Sequence, residues 1–221
     1  MPKGLAASCC DVFAPSIKLL YDEEYLHIPD ALDLKRVSKL HKEHHGVHGM
    51  FGSLDCMHTP WKNCPKGWQV SFKSGKETCG PTEMLEALSD YHLWFWRVSL
   101  DYAGLLNDLN ILNLSFLLEL LVDGTFTEQV QSSMLVPFEV AENLFHRLFV
   151  LVDRIYPPYS RFVKGIQPPL INAKQRYTTW QDASRKDMER AFGVLQSCFQ
   201  VMTRTFLGIS LKKLATLSHH V

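Results

Sequence analysis

The sequence is short of cysteine, of long apolar runs and of net charge, and each shortage excludes something. Six cysteines in 221 residues are too few and too irregular for a disulfide scaffold. Cys9 and Cys10 are adjacent, Cys56, Cys64 and Cys79 lie in the first third or so, and Cys198 stands alone, which predicts reduced thiols in an intracellular compartment. The longest apolar stretch, residues 111–122, is interrupted by Asn113, Ser115 and Glu119, short of the roughly 18 unbroken residues of a membrane span. No membrane partner is expected. Residues 1–15 carry one lysine and no apolar core, so no secretory signal is expected either. Internal repeats and low-complexity tracts are absent. What is present, 46% hydrophobic and 21% charged residues, describes a globular domain that buries roughly 70% of its unfolded surface without disulfides or a structural metal.

A formal charge of zero argues against a nucleic-acid partner until it is resolved along the chain. Residues 1–82 hold 10 Lys/Arg and 9 Asp/Glu, residues 83–150 hold 2 and 10, and residues 151–221 hold 11 and 4. Solvated faces are the simple reading of such blocks. The sharper reading is that the acidic middle and the basic end meet in the fold, setting carboxylates beside a cationic surface suited to metal ions and phosphate.

Periodicity supplies the elements. Residues 16–45 read as helical, with Pro29 as a break and Asp30 or Asp33 as the second helix's cap. The glycine-punctuated apolar segment 48–58 reads as a strand, 61–81 as a loop, and 84–89 and 93–99 as a hairpin turning at Asp90 and Tyr91. A helix follows Gly104, with Asn107 or Asp108 near its start. Residues 138–145 read as a connector, and 147–153 (RLFVLVD) as a central strand covered on both faces. The last long helix is expected from about Ser184, with Met188, Ala191, Phe192, Leu195, Phe199 and Met202 as its apolar stripe. The fold class that results is α/β, a mixed sheet flanked by helices.

Three acids stand out by position: Asp55 and Asp153 each end an apolar strand, and Glu189 lies in the last helix. Loop or cap residues bonded to backbone amides, and a solvated helix glutamate, are the simpler reading from spacing alone. The alternative is a shared cation, since grouped carboxylates either raise one another's pKa or bind one.

The stretches HGMFGSLDCMHTPWKNCPKGW, LEALSDYHLWFW, YAGLLNDLNIL, RLFVLVDRIYP and RKDMERAFGVLQSCFQV occur in that order. They resemble the PIF/Harbinger transposases, in particular the plant-transposon-protein branch, over about residues 25–214. The resemblance implies a ribonuclease H-like fold and a DDE triad at Asp55, Asp153 and Glu189, with 35 residues between the last two. It implies two Mg²⁺ or Mn²⁺ ions about 4 Å apart, clamping the scissile phosphate for hydrolysis and strand joining. DNA is the implied substrate, a Myb-like DNA-binding protein a possible partner, an oligomer a possible state and the nucleus the location. His58, Lys62, Lys66, Arg154, Arg185, Lys186 and Arg190 are the further candidates for orienting the acids or touching DNA.

The implied division is a short helical segment over 1–45, a nuclease domain over 46–214 and a tail over 215–221. The family carries a longer N-terminal helical region, another helical segment after the last helix, and a glycine turn after its second aspartate. Here Asp153-Arg154-Ile155 replaces that turn, with an expected strain and a cation beside the site. A truncated or decayed copy, reduced to a catalytically inactive DNA- or protein-binding module, is therefore the alternative expectation. His41, His44, His45, His48, Cys56, His58 and Cys64 include no closed C-x-x-C pair with a matching second pair, so a structural zinc site is not expected. Asp90 and Asp108 are explained by the hairpin turn and the helix start, and Cys198 as a buried thiol.

Overall fold

A computed structural model describes residues 3–25, 27, 29–73, 80–115, 135–167, 171–199 and 202. Two helices lead, Lys3–Tyr25 (α1) and Ala31–His45 (α2). Both capping candidates serve α2. The Asp30 carboxylate accepts from the N–H groups of Leu32 and Asp33 at 2.7 and 2.8 Å, and Asp33 accepts from the N–H of Asp30. These bonds satisfy amides that the first helical turn leaves without partners. Gly46, at φ 71°, closes the helix in a left-handed conformation that a Cβ would disfavour.

The strands that follow are Met50–Pro60 (β1), Thr82–Ser89 (β2) and Phe95–Ala103 (β3), with the single turn Gln69–Phe72 (α3) between the first two. They pair antiparallel in sequence. After Asp108–Leu114 (α4) come Leu135–Val140 (β4), Asn143–Arg147 (β5), Phe149–Leu151 (β6), Phe162–Val163 (β7) and Asn172–Cys198 (α5). β6 joins β1 in parallel and β7 joins β6 in parallel, giving a five-stranded sheet in the order β3-β2-β1-β6-β7. This mixed sheet flanked by helices is consistent with the expected ribonuclease H-like fold.

Alternation along the strands divides the core. Leu54, Leu88, Val150 and Val152 meet Leu34 and Val37 of α2, Leu112 of α4 and Tyr156. Met57, Leu85 and Ala87 meet Met188 and Phe192 of α5. Asp55 shares the strand parity of Met57 and therefore belongs to the α5 face.

Several expectations are corrected. The connector expected at 138–145 is the β4–β5 hairpin. Every residue of β5 is exposed, so it has no alternating pattern to read. The ladder of β6 spans only 149–151, although the Val152 N–H still donates to the Val163 carbonyl at 3.1 Å. The last helix begins at Asn172 and not near Ser184, so Ser184 and Asp187 are buried mid-helix residues. Its first turns are held by polar contacts. Thr178 is bonded to Ile166, and buried Gln181 donates to the carbonyls of Val152 and Val163 at 2.9 and 3.2 Å. Cys198 is exposed and not a buried thiol, and its neighbour Phe199 is 60% exposed, although Leu195 and Met202 of the expected stripe do pack on the α5-face cluster. The helix expected after Gly104 is described only as α4, since residues 116–134 lie outside the described residues. Among the described residues, no helix is long and apolar enough to cross a membrane.

Candidate functional site

The adjacency of β1 and β6 brings Asp55 and Asp153 together, although β1 runs on to Pro60, so that Asp55 lies in mid-strand and not at the strand end expected, while Asp153 follows the end of β6. The Arg185 guanidinium, projecting from α5, spans them: Nη2 is 3.2 Å from Asp55 Oδ2 and Nη1 is 3.2 Å from Asp153 Oδ1. Arg185 and Asp55 are mostly shielded from solvent and Asp153 is about half open. Each aspartate also receives the N–H of the residue after it, Cys56 to Asp55 at 2.9 Å and Arg154 to Asp153 at 2.7 Å.

Burial pushes the Asp55 carboxyl above the usual carboxylate range. The Arg185 charge and the Cys56 amide oppose that shift, and the charges of Asp108 and Asp153 add to it. The upward shift is thus first an effect of burial, with Asp108 and Asp153 as lesser contributors, and a cation beside the carboxylate would favour its charged form.

Asp108 contributes to that shift from the first turn of α4. Its own helix is capped by Asn107, whose side chain accepts from the Asn110 N–H at 2.9 Å. Asn107 thus caps the helix and Asp108 is the acid of its first turn, as the helix-start reading has it. The negative charge of Asp108 also reaches Cys56, Glu86 and Tyr156. The acidic weighting of residues 83–150 was the signal that could have singled it out.

Glu189 lies one turn beyond Arg185 and is exposed. Helical spacing sets it on the flank that carries Asp182 and Arg185. Among the described residues it makes no hydrogen bond or ion pair, so contact joins Asp55, Asp153 and Arg185 but not Glu189.

The other candidates scatter around this centre. Arg154 turns from the aspartates to Asp182, with Nη2 2.7 Å from Oδ2. The turn it occupies has the Tyr156 N–H donating to the Asp153 carbonyl at 3.1 Å. Positive φ occurs at Leu93, Ala141 and Glu142 among non-glycine residues described, so the strain expected at Arg154 is not there. His58 Nδ1 lies 2.9 Å from Thr82 Oγ1 on β2. Arg190 is 3.4 Å from Asp187 and lies over the Tyr91 ring at 4.8 Å. Lys62, Lys66 and Lys186 are exposed. Asp90 fills its hairpin role: it accepts from the N–H groups of His92 and Trp94 and from the Trp96 indole at 2.9, 3.2 and 3.0 Å.

The Asp55, Asp153 and Glu189 donor set is all carboxylate oxygen, the chemistry of Mg²⁺ and Mn²⁺ sites. The Arg185 guanidinium already provides a cation between two of the three. The carboxylate chemistry of Asp55 and Asp153 suits a divalent ion, whereas Glu189 is not brought into contact with them.

A family model described as plant transposon protein matches residues 23–219. No curated protein and no solved structure matches the chain. With nearly its whole length covered by that model, the chain belongs to the plant transposon protein family.

Proposed function

We propose that the chain is a divalent-metal-dependent DNA endonuclease and strand-joining transposase of the PIF/Harbinger type. The observation that carries this reading is the single guanidinium shared by Asp55, in the middle of β1, and Asp153, just past the end of the adjacent parallel β6. Asp55 and Asp153, with Glu189 brought in from α5, would hold Mg²⁺ or Mn²⁺. With two such ions in place, the chemistry supplied is Lewis-acid activation of the attacking and leaving oxygens of a phosphodiester.

The protein's own residues do the rest. Arg185 releases the carboxylates and turns its planar donor fork to a phosphate oxygen, for which it is equally suited. Exposed Lys62, Lys66 and Lys186 hold the flanking backbone, which makes binding fall with added salt. The substrate assigns the protein to the nucleus, where a Myb-like partner supplies target selection.

Purified chain with Mn²⁺ and supercoiled plasmid tests this reading. Nicking is expected, with loss in Asp55→Ala and Asp153→Ala variants that still melt cooperatively. Nicking that survives both substitutions would reject the assignment.

A second reading has its own observation. Arg185 neutralises the aspartate pair from within the fold, and Arg154 beside it is already paired with Asp182. That arrangement also suits a catalytically inactive DNA- or protein-binding module. Calorimetry that finds salt-sensitive DNA binding but no heat with Mg²⁺ or Mn²⁺ would select it.

A further inference from the structure

A second cluster of metal-ligating side chains lies where the last turns of α2 meet the middle of α5. His41 and His45, four residues apart, present their rings on one face of α2, stacked with centroids 5.6 Å apart. Asp187 reaches them from α5, its Oδ2 2.6 Å from His45 Nε2. One ligand atom from each of the three residues lies within 4.8 Å of the other two.

An ion pair between His45 and Asp187 would account for two of these residues and leave the third unexplained. His41 is fully buried, and neither of its ring nitrogens has a hydrogen-bond partner. The Phe51 backbone nearby favours the charged ring but does not complete a bond to it, and burial holds the imidazole neutral, its pKa lowered to about 4. A buried polar group without a partner costs on the order of 1–3 kcal/mol and calls for a missing water or ion. A buried imidazole with unpaired ring nitrogens, beside a second imidazole and a carboxylate, offers the nitrogen lone pair that a borderline-soft cation takes.

We propose that His41, His45 and Asp187 form a Zn²⁺ site that staples α2 to α5. Two histidines at i and i+4 on one helix face, with a carboxylate from a second element, are a zinc donor set with one coordination position left for water. The imidazoles separate this site from the all-oxygen pair at Asp55 and Asp153: Mg²⁺ and Mn²⁺ prefer the latter, Zn²⁺ the former. Arg190, whose guanidinium donates to the Tyr91 carbonyl, lies 3.4 Å from the other Asp187 oxygen as an ion-pair partner behind the carboxylate. The site is independent of nuclease activity and would survive its loss. The i, i+4 histidine pair is visible in the sequence, but its carboxylate lies 142 positions from His45, beyond the reach of any spacing rule.

The full chain, stripped with chelator and dialysed, is titrated with Co²⁺ in excess Mg²⁺ and followed by visible absorption. One equivalent is expected to give intense tetrahedral bands without thiolate charge transfer, and Zn²⁺ is expected to bleach them. Zn²⁺ should also raise the melting temperature of the stripped protein. Both effects should vanish in His41→Leu, which keeps the buried volume and is checked for folding by circular dichroism. Asp187→Asn, which retains an acceptor for His45 but not the negative charge, should weaken Co²⁺ binding at least tenfold and serves if His41→Leu does not fold. A colourless titration, bands carrying a thiolate signature, or bands unchanged in the variants would overturn the proposal.

Discussion

Arg185 Nη2 stands 3.2 Å from Asp55 Oδ2, tying the third quarter of α5 to the middle of β1. The same guanidinium meets Asp153, so Arg185 and a divalent ion would compete for one pair of carboxylates. Replacing Arg185 by Gln removes the resident charge and should tighten Mn²⁺ binding about tenfold, about 1.4 kcal/mol. In metal-free buffer the same variant should be less stable by about 1–3 kcal/mol, because two partly buried carboxylates lose their counter-ion. Titration of free Mn²⁺ by electron paramagnetic resonance, beside urea melts, reads both quantities. Weaker Mn²⁺ binding in the variant would show that Arg185 supports the ion and does not rival it.

Glu86 supplies the clearest pH dependence. It is fully buried on β2, the Ser115 hydroxyl donates to its carboxylate, and burial raises its pKa to about 7 against the opposing Ser115 bond and Arg97 charge. The folded state therefore keeps a proton that the unfolded chain releases near 4.5. Its contribution is complete below pH 4.5 and is lost as pH rises toward 7, a span worth about 3 kcal/mol. Glu86→Gln should remove this part of the slope. Urea midpoints at pH 5 and pH 7.5 that differ as much in the variant as in the parent would refute the assignment.

Gln181→Leu tests how α5 is seated. The substitution keeps the volume but leaves the carbonyls of Val152 and Val163 without the amide that bridges them. A loss of about 1–2 kcal/mol is expected from one buried and one partly buried hydrogen bond, since the Val163 carbonyl keeps the Val152 N–H, measured as a lower denaturant midpoint at unchanged slope. A change under 0.5 kcal/mol would mean that water replaces the amide.

At Gly52, a side chain would be driven into the backbone carbonyl of Ser89 across the β1–β2 ladder. The register of β1 against β6 also shifts between Met50 and Gly52, so Gly52 sits at an irregularity on one side and a close backbone contact on the other. Gly52→Ala should destabilise by about 2–4 kcal/mol. The exposed turn glycine Gly67, which has open space around it, should accept alanine with little change under the same assay.

What the sequence made legible depended on whether a residue's reason for being there was local. Asp55 and Asp153 stood out because a charge after an apolar strand needs a partner, and the sheet order puts those strands side by side. The Asp30 cap and the Asp90 turn were legible for the same local reason. The first turns of α5 were not. Thr178 and Gln181 seat them through bonds to distant backbone, and Lys174, Gln175 and Arg176 face solvent, so no apolar stripe marks the start. The β4–β5 hairpin escaped because its second strand has no buried side. Arg185 read only as one of several cations suited to DNA, since its two carboxylate partners lie 130 and 32 positions away.

The Gln181 amide has a consequence for that partnership. By gripping β6 and β7 at one point, it sets the rotational phase of α5, and Arg185 follows one turn later on nearly the same bearing. Each residue of an α-helix advances the bearing by about 100°. A single-residue insertion between Gln181 and Arg185 would leave every side chain chemically intact and still swing the guanidinium away from both aspartates. The interval between these two residues is thus a fixed length in the protein, as constrained in number as the residues at its ends are in kind.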